Sequence, residues 1–189
     1  MSRRTLQQAL ALTESTALLR RYFVVNGFDG ALTMLGILSG FYLGEVADTR
    51  IVISACLGAA VALFMSGLSA AVISEAAERK RSLAEMEQAM GKSLQQSAHG
   101  TAARLTPWLV GAVNGLSPLC ISLLILSPVF FYSPDMRYSP LLTAMSFGLI
   151  CLFLLGIFLG RIDGSHWLLS GLKALFVGIL TLTVILLLE

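Results

Sequence analysis

The chain has 189 residues, of which 56% are hydrophobic and only 13% charged, against about a quarter charged in an ordinary soluble domain. Mean hydropathy is +0.81 and the formal net charge is +2. These values exclude a soluble enzyme with a large polar cleft. The long apolar blocks also exclude an outer-membrane barrel, whose strands alternate and run only about 10 residues.

In chain order, residues 1–21 read as a short amphipathic helix on the cytoplasmic membrane surface, with Leu6, Leu10, Ala17 and Leu18 as its apolar positions. Glu14, Arg20 and Arg21 interrupt any signal-peptide core, and no small-residue cleavage site follows. Residues 22–74 form a first transmembrane hairpin with apolar blocks at 22–44 and 51–74. A cytoplasmic helical segment occupies 75–107, and a second hairpin occupies 108–160, with blocks at 108–132 and 139–160. Residues 161–189 contain a fifth block, 167–188. Roughly 20 helical residues cross a bilayer core, so each block is long enough to span. The expected fold is an all-α integral membrane protein with five transmembrane helices.

Charge sets the orientation. Arg3, Arg4, Arg20, Arg21, Arg79, Lys80, Arg81, Lys92, Arg104, Arg161 and Lys173 fall on one side of the five spans, and only Arg50 and Arg137 on the other. The positive-inside rule places the N-terminus and residues 75–107 in the cytoplasm and the C-terminus on the opposite side.

The two hairpins resemble each other in parallel. Val25-Asn26-Gly27 matches Val113-Asn114-Gly115, and Ile37-Leu38-Ser39 matches Ile125-Leu126-Ser127 at the same offset. Such internal repeats are common in transporters, whose sites lie where repeats meet; the alternative is a chance match between Leu- and Gly-rich spans.

Asp29 is the acidic residue well inside a span, and a carboxylate there is expensive enough to point to function. Asn26, Asp29, Thr33, Gly36, Gly40 and Gly44 recur at steps of three or four and share one helical face. Glycine at every fourth position lets another helix approach closely. Asn26-Gly27 and Asp29-Gly30 are poor helix formers, so the helix is expected to loosen here and free carbonyl oxygens. Carboxylate, amide, hydroxyl and carbonyl oxygens together would suit a hard cation. Alternatively, a protonated Asp29 bonds to Asn26 or Asn114 as a structural contact.

Residues 75–94 have strong helix composition, and the second span is expected to run into them. Glu75, Glu78, Ser82 and Glu85 form an acidic stripe, and Leu83, Met86, Met90 and Leu94 an apolar one. The acidic stripe either captures a divalent cation or is a solvated face with surface pairings. His99 and His166 are isolated, so no zinc spacing is present. Cys56, Cys120 and Cys151 lie singly in apolar spans and form no CxxC pair. Neither a catalytic constellation nor a nucleic-acid surface is present, and no cofactor is expected.

Asn26-Gly27-Phe28-Asp29-Gly30-Ala31-Leu32-Thr33, after Arg20-Arg21, resembles the Asp-Gly-hydrophobic-x-Thr signature of the vacuolar iron transporter family. Ser66-Gly67-Leu68-Ser69, then Pro107, Leu155-Gly156, Gly171-Leu172 and Gly178, are similar to further family positions in the same order. The resemblance spans most of residues 20–188. It implies a homodimer paired through the first span, exporting Fe²⁺ or Mn²⁺ from the cytoplasm in exchange for protons. Asp29 would carry the ion, Asn26 and Thr33 would add oxygen ligands, and Glu75, Glu78 and Glu85 would collect it. The metal is then substrate rather than cofactor.

The sequence departs from the family at Ala70, where the family places Met, and at Glu75, which falls one residue late. The cytoplasmic segment is also shorter than in plant-type members, as in a divergent prokaryotic branch. A site without the thioether suits oxygen-loving ions such as Mn, Mg or Ca. The alternatives are a passive dimeric cation channel and a non-transporting membrane scaffold.

Overall fold

A computed structural model describes residues 15–46, 48–132 and 139–188. Five helices follow one another: α1 (Ser15–Leu43), α2 (Thr49–Met90), α3 (Ala98–Phe130), α4 (Pro140–Ile162) and α5 (Trp167–Leu188). All five are long and apolar enough to cross a membrane, and the described residues contain no strand. The protein is therefore an all-α, multi-pass membrane protein. Most of the surface helix expected over 1–21 lies outside the described residues, while residues from Ser15 already belong to α1.

Several helix ends have a local cause. Asp48 caps α2, its carboxylate accepting the Arg50 N–H at 2.9 Å. α1 closes on a Schellman turn in which the Val46 N–H donates to the Phe41 carbonyl at 3.1 Å. Glu45 occupies the left-handed position of that turn, at φ 50°. α4 ends the same way, with Gly164 at φ 69° and the Ser165 N–H reaching the Gly160 carbonyl.

At 42 residues α2 is about 63 Å long, twice a bilayer core, so the span and the polar segment after it share one helix. It stops at Met90 rather than at Leu94. Gly91 takes φ 62°, and the Glu87 carboxylate accepts the Leu94 N–H at 2.7 Å and the Ser93 hydroxyl at 3.1 Å. Leu94, the last member of the apolar stripe, is buried beyond the helix end.

The chain forms two compact units. Among the described residues, one contains 15–23 and 64–116; the other contains 24–46, 48–63, 117–132 and 139–188. In the first unit α3 packs on α2 through small residues. A side-chain carbon at Gly115 would stand 2.7 Å from the Phe64 carbonyl oxygen, and one at Gly111 would collide with Val72.

The core of the second unit joins Met34, Leu35 and Leu38 of α1 with Cys56 of α2, Ile125 of α3 and Leu152 of α4. α4 and α5 close against each other on Gly156, Gly160, Gly171 and Gly178. Ile150, Leu154 and Phe158 of α4 and Leu172, Phe176 and Ile179 of α5 remain exposed. So much exposed apolar surface is a liability in water but is what acyl chains solvate.

Candidate functional site

The candidate site is built on α1 in the second unit. Val24, Gly27, Ala31, Met34, Leu35 and Leu38 form its buried face at steps of three and four. The face bearing Asn26, Asp29, Thr33, Gly36 and Gly40 is covered less: Asn26 and Thr33 are half-buried, and Asp29 is exposed. Asp29 makes no hydrogen bond or ion pair with the described residues. Further along, among the described residues, only Ile185 Cδ1, at 3.9 Å, approaches a side-chain carbon placed at Gly36, and nothing lies within 4 Å of one at Gly40.

The helix does not loosen as its sequence predicts, since α1 is unbroken from Ser15 to Leu43. Gly30 lies so close to α3 that a side-chain carbon there would stand 2.7 Å from the Pro118 carbonyl oxygen. Gly27 similarly abuts Leu155 and Ser117. Both glycines are spent on close packing, not on unwinding. Where bilayer is the solvent, an opened backbone group would also lack a partner, which outweighs the weak local propensity. Asn26, Asp29 and Thr33 therefore offer side-chain oxygens stacked along about 10 Å of helix, without added carbonyls.

The repeat recurs in the packing. Gly27 of α1 abuts α4, and its counterpart Gly115 of α3 abuts α2. Gly30 and Pro118, equivalent positions of the two repeats, touch each other. Within the first unit, Asn114 Nδ2 donates to the Gly67 carbonyl at 2.7 Å. The repeat pairs Asn114 with Asn26, but the bond of this buried amide goes to a carbonyl of α2 and not to Asp29.

The acidic stripe of α2 is largely engaged by arginines one turn away. Glu75, 13% exposed, accepts from Arg79 at 2.6 Å, and Glu85 accepts from Arg81 Nε at 3.0 Å. The hydrogen bond to Glu85, then its charge, then that of Glu78, raise the Arg81 pKa above its ordinary value. Glu78 is exposed. Among the described residues, no three His, Cys, Asp or Glu side chains come together in a group able to hold a metal. The Arg81–Glu85 pair stands in solvent, where screening weakens it, so an arriving divalent cation can compete for Glu85.

Two comparisons place the chain among known sequences. The sequence profile of the VIT family matches residues 63–188, which covers α3, α4, α5 and most of α2. An uncharacterized protein of Methanocaldococcus jannaschii is 30% identical over 156 residues, covering 81% of this chain and 79% of that protein. No solved structure matches. Asp29 and its face precede the profile-matched region.

Proposed function

The chain belongs to the VIT family, a family of membrane metal-ion transporters rather than enzymes, and from that premise we propose that it exports Fe²⁺ or Mn²⁺ from the cytoplasm in exchange for protons. One observation carries this reading: an exposed, unpartnered carboxylate, Asp29, on the least covered face of a membrane-spanning helix. An acid so placed is costly unless it binds something. Asp29 alternates between metal-bound carboxylate and protonated acid, and that alternation couples the two fluxes. Asn26 and Thr33 add oxygens along the same face, while Glu75, Glu78 and Glu85 raise the local cation concentration at the cytoplasmic side.

The working unit in this proposal is a homodimer. One protomer strings a single carboxylate, amide and hydroxyl over about 10 Å, too sparse a set for one ion. A second copy seated against Gly36 and Gly40 would double those donors and cover the open strip.

Liposomes reconstituted with the purified protein test this through Fe²⁺ and Mn²⁺ uptake with and without a pH gradient. Gradient-driven flux that falls to background in Asp29→Asn, with an unchanged melting temperature, is the expected result. Flux indifferent to the gradient would reassign the protein as a passive channel. Absence of flux for both metals would remove the export reading.

A further inference from the structure

A groove in the first unit is built for a different ligand. Between the cytoplasmic half of α2 and the start of α3 lies an open cavity of about 560 Å³. Its walls are mainly apolar, with Val72, Leu83, Pro107 and Trp108, and two cations, Lys80 and Arg104, stand among them. Among the described residues, no Asp or Glu lines it. Arg104 and Gln95 also border a second recess, where Ser93, Gln96 and Thr101 supply hydroxyls and amides. Arg104 is therefore shared by an apolar chamber and a polar one.

The two cations are set apart from their neighbours. Arg79 and Arg81 flank Lys80 in sequence, and each is tied to a glutamate one turn away. Neither Lys80 nor Arg104 pairs with a carboxylate among the described residues. Glu87, bonded to Ser93 of the polar recess, also accepts the Leu94 N–H. Trp108 is 64% exposed at the beginning of an apolar span, where indole rings mark the membrane–water boundary. An anion with a polar end and a hydrocarbon end matches this sequence of surfaces. Basic pockets between transmembrane helices on the cytoplasmic side hold acidic lipid headgroups for the same reason.

We propose that this groove binds one anionic phospholipid of the cytoplasmic leaflet, with its phosphate between Lys80 and Arg104 and an acyl chain along Val72 and Trp108. The headgroup beyond the phosphate projects toward Gln96 and Thr101. The inference uses the orientation given by the basic residues and is independent of which ion is carried.

Native mass spectrometry of the full chain, delipidated in detergent and titrated with phosphatidylglycerol, phosphatidylcholine of the same chains, or inorganic phosphate, tests it. The wild type should retain one phosphatidylglycerol in preference to phosphatidylcholine, and inorganic phosphate should not displace it. Lys80→Gln and Arg104→Gln should each weaken binding about fivefold, the factor for a surface cation facing acidic lipid. Lys80→Arg with Arg104→Lys should retain it. Lys92→Gln removes an exposed cation of the same segment outside the groove and should have no effect. Equal retention of both lipids by the wild type would overturn the assignment without any variant. Displacement by inorganic phosphate would make the site a phosphate site instead. A loss in Lys92→Gln equal to that in Lys80→Gln would reduce it to diffuse surface charge.

Discussion

Two glycine strips in the second unit carry the same sequence signal and end differently. On α4, Gly156 and Gly160 are filled: a side-chain carbon at Gly156 would stand 2.6 Å from the Ser170 carbonyl oxygen and 2.9 Å from the Gly171 Cα. On α1, Gly36 and Gly40 are nearly bare. Small residues at every fourth position announce that a helix will come close, but not whether it belongs to the same chain. The filled strip stabilises the protomer. The bare one, carrying Asp29 and Thr33 a turn or two earlier, is where the proposed homodimer would seat its second copy.

The largest effect should come from blocking the filled strip. Gly156→Val forces α5 away from α4 and should destabilise the protomer by about 1–3 kcal/mol, read as a lower melting temperature and poorer recovery in detergent. Asn114→Leu tests a close contact sealed by a polar group. Losing its bond to Gly67 should cost about 1 kcal/mol in the same assay, within the range for interhelical hydrogen bonds in membranes. Glu45→Gly, at the end of the helix with the bare strip, should instead stabilise by about 0.5 kcal/mol by relieving its left-handed backbone. Gly40→Leu should move protomer stability least, within about 0.5 kcal/mol, because nothing stands in its way. The same substitution should abolish pairing of protomers, read by cross-linking at Thr33→Cys in a background without native cysteines. A substantially destabilised Gly40→Leu protomer, or undiminished cross-linking, would erase the distinction between the strips.

The five spans were legible because hydropathy over some 20 residues is a strong, local signal, and the run of α2 beyond its span followed from unbroken helix formers. Weaker signals misled where a longer-range partner intervened. Asn26-Gly27 and Asp29-Gly30 have the propensity of a break, but their glycines are taken up by Leu155, Ser117 and Pro118, and the helix holds. The apolar spacing through Leu94 concealed the stop that Gly91 and Glu87 impose. The acidic stripe of α2 was visible, but not the choice Glu75 and Glu85 make of arginines one turn away. Asn26, Asp29 and Thr33 share a face because helix geometry alone dictates it. Their degree of covering depends on tertiary packing, which no local pattern encodes.

The unbroken backbone of α1 has a consequence for the ion that the proposed transporter would carry. With every carbonyl through Asn26–Thr33 committed to the helix, a cargo passing along this face would meet only a few side-chain oxygens and would keep part of its hydration shell. A path of that kind discriminates by how readily an ion exchanges water rather than by cavity size. Mg²⁺, which dehydrates reluctantly, would then be held back on kinetic grounds although its charge and liking for oxygen are right.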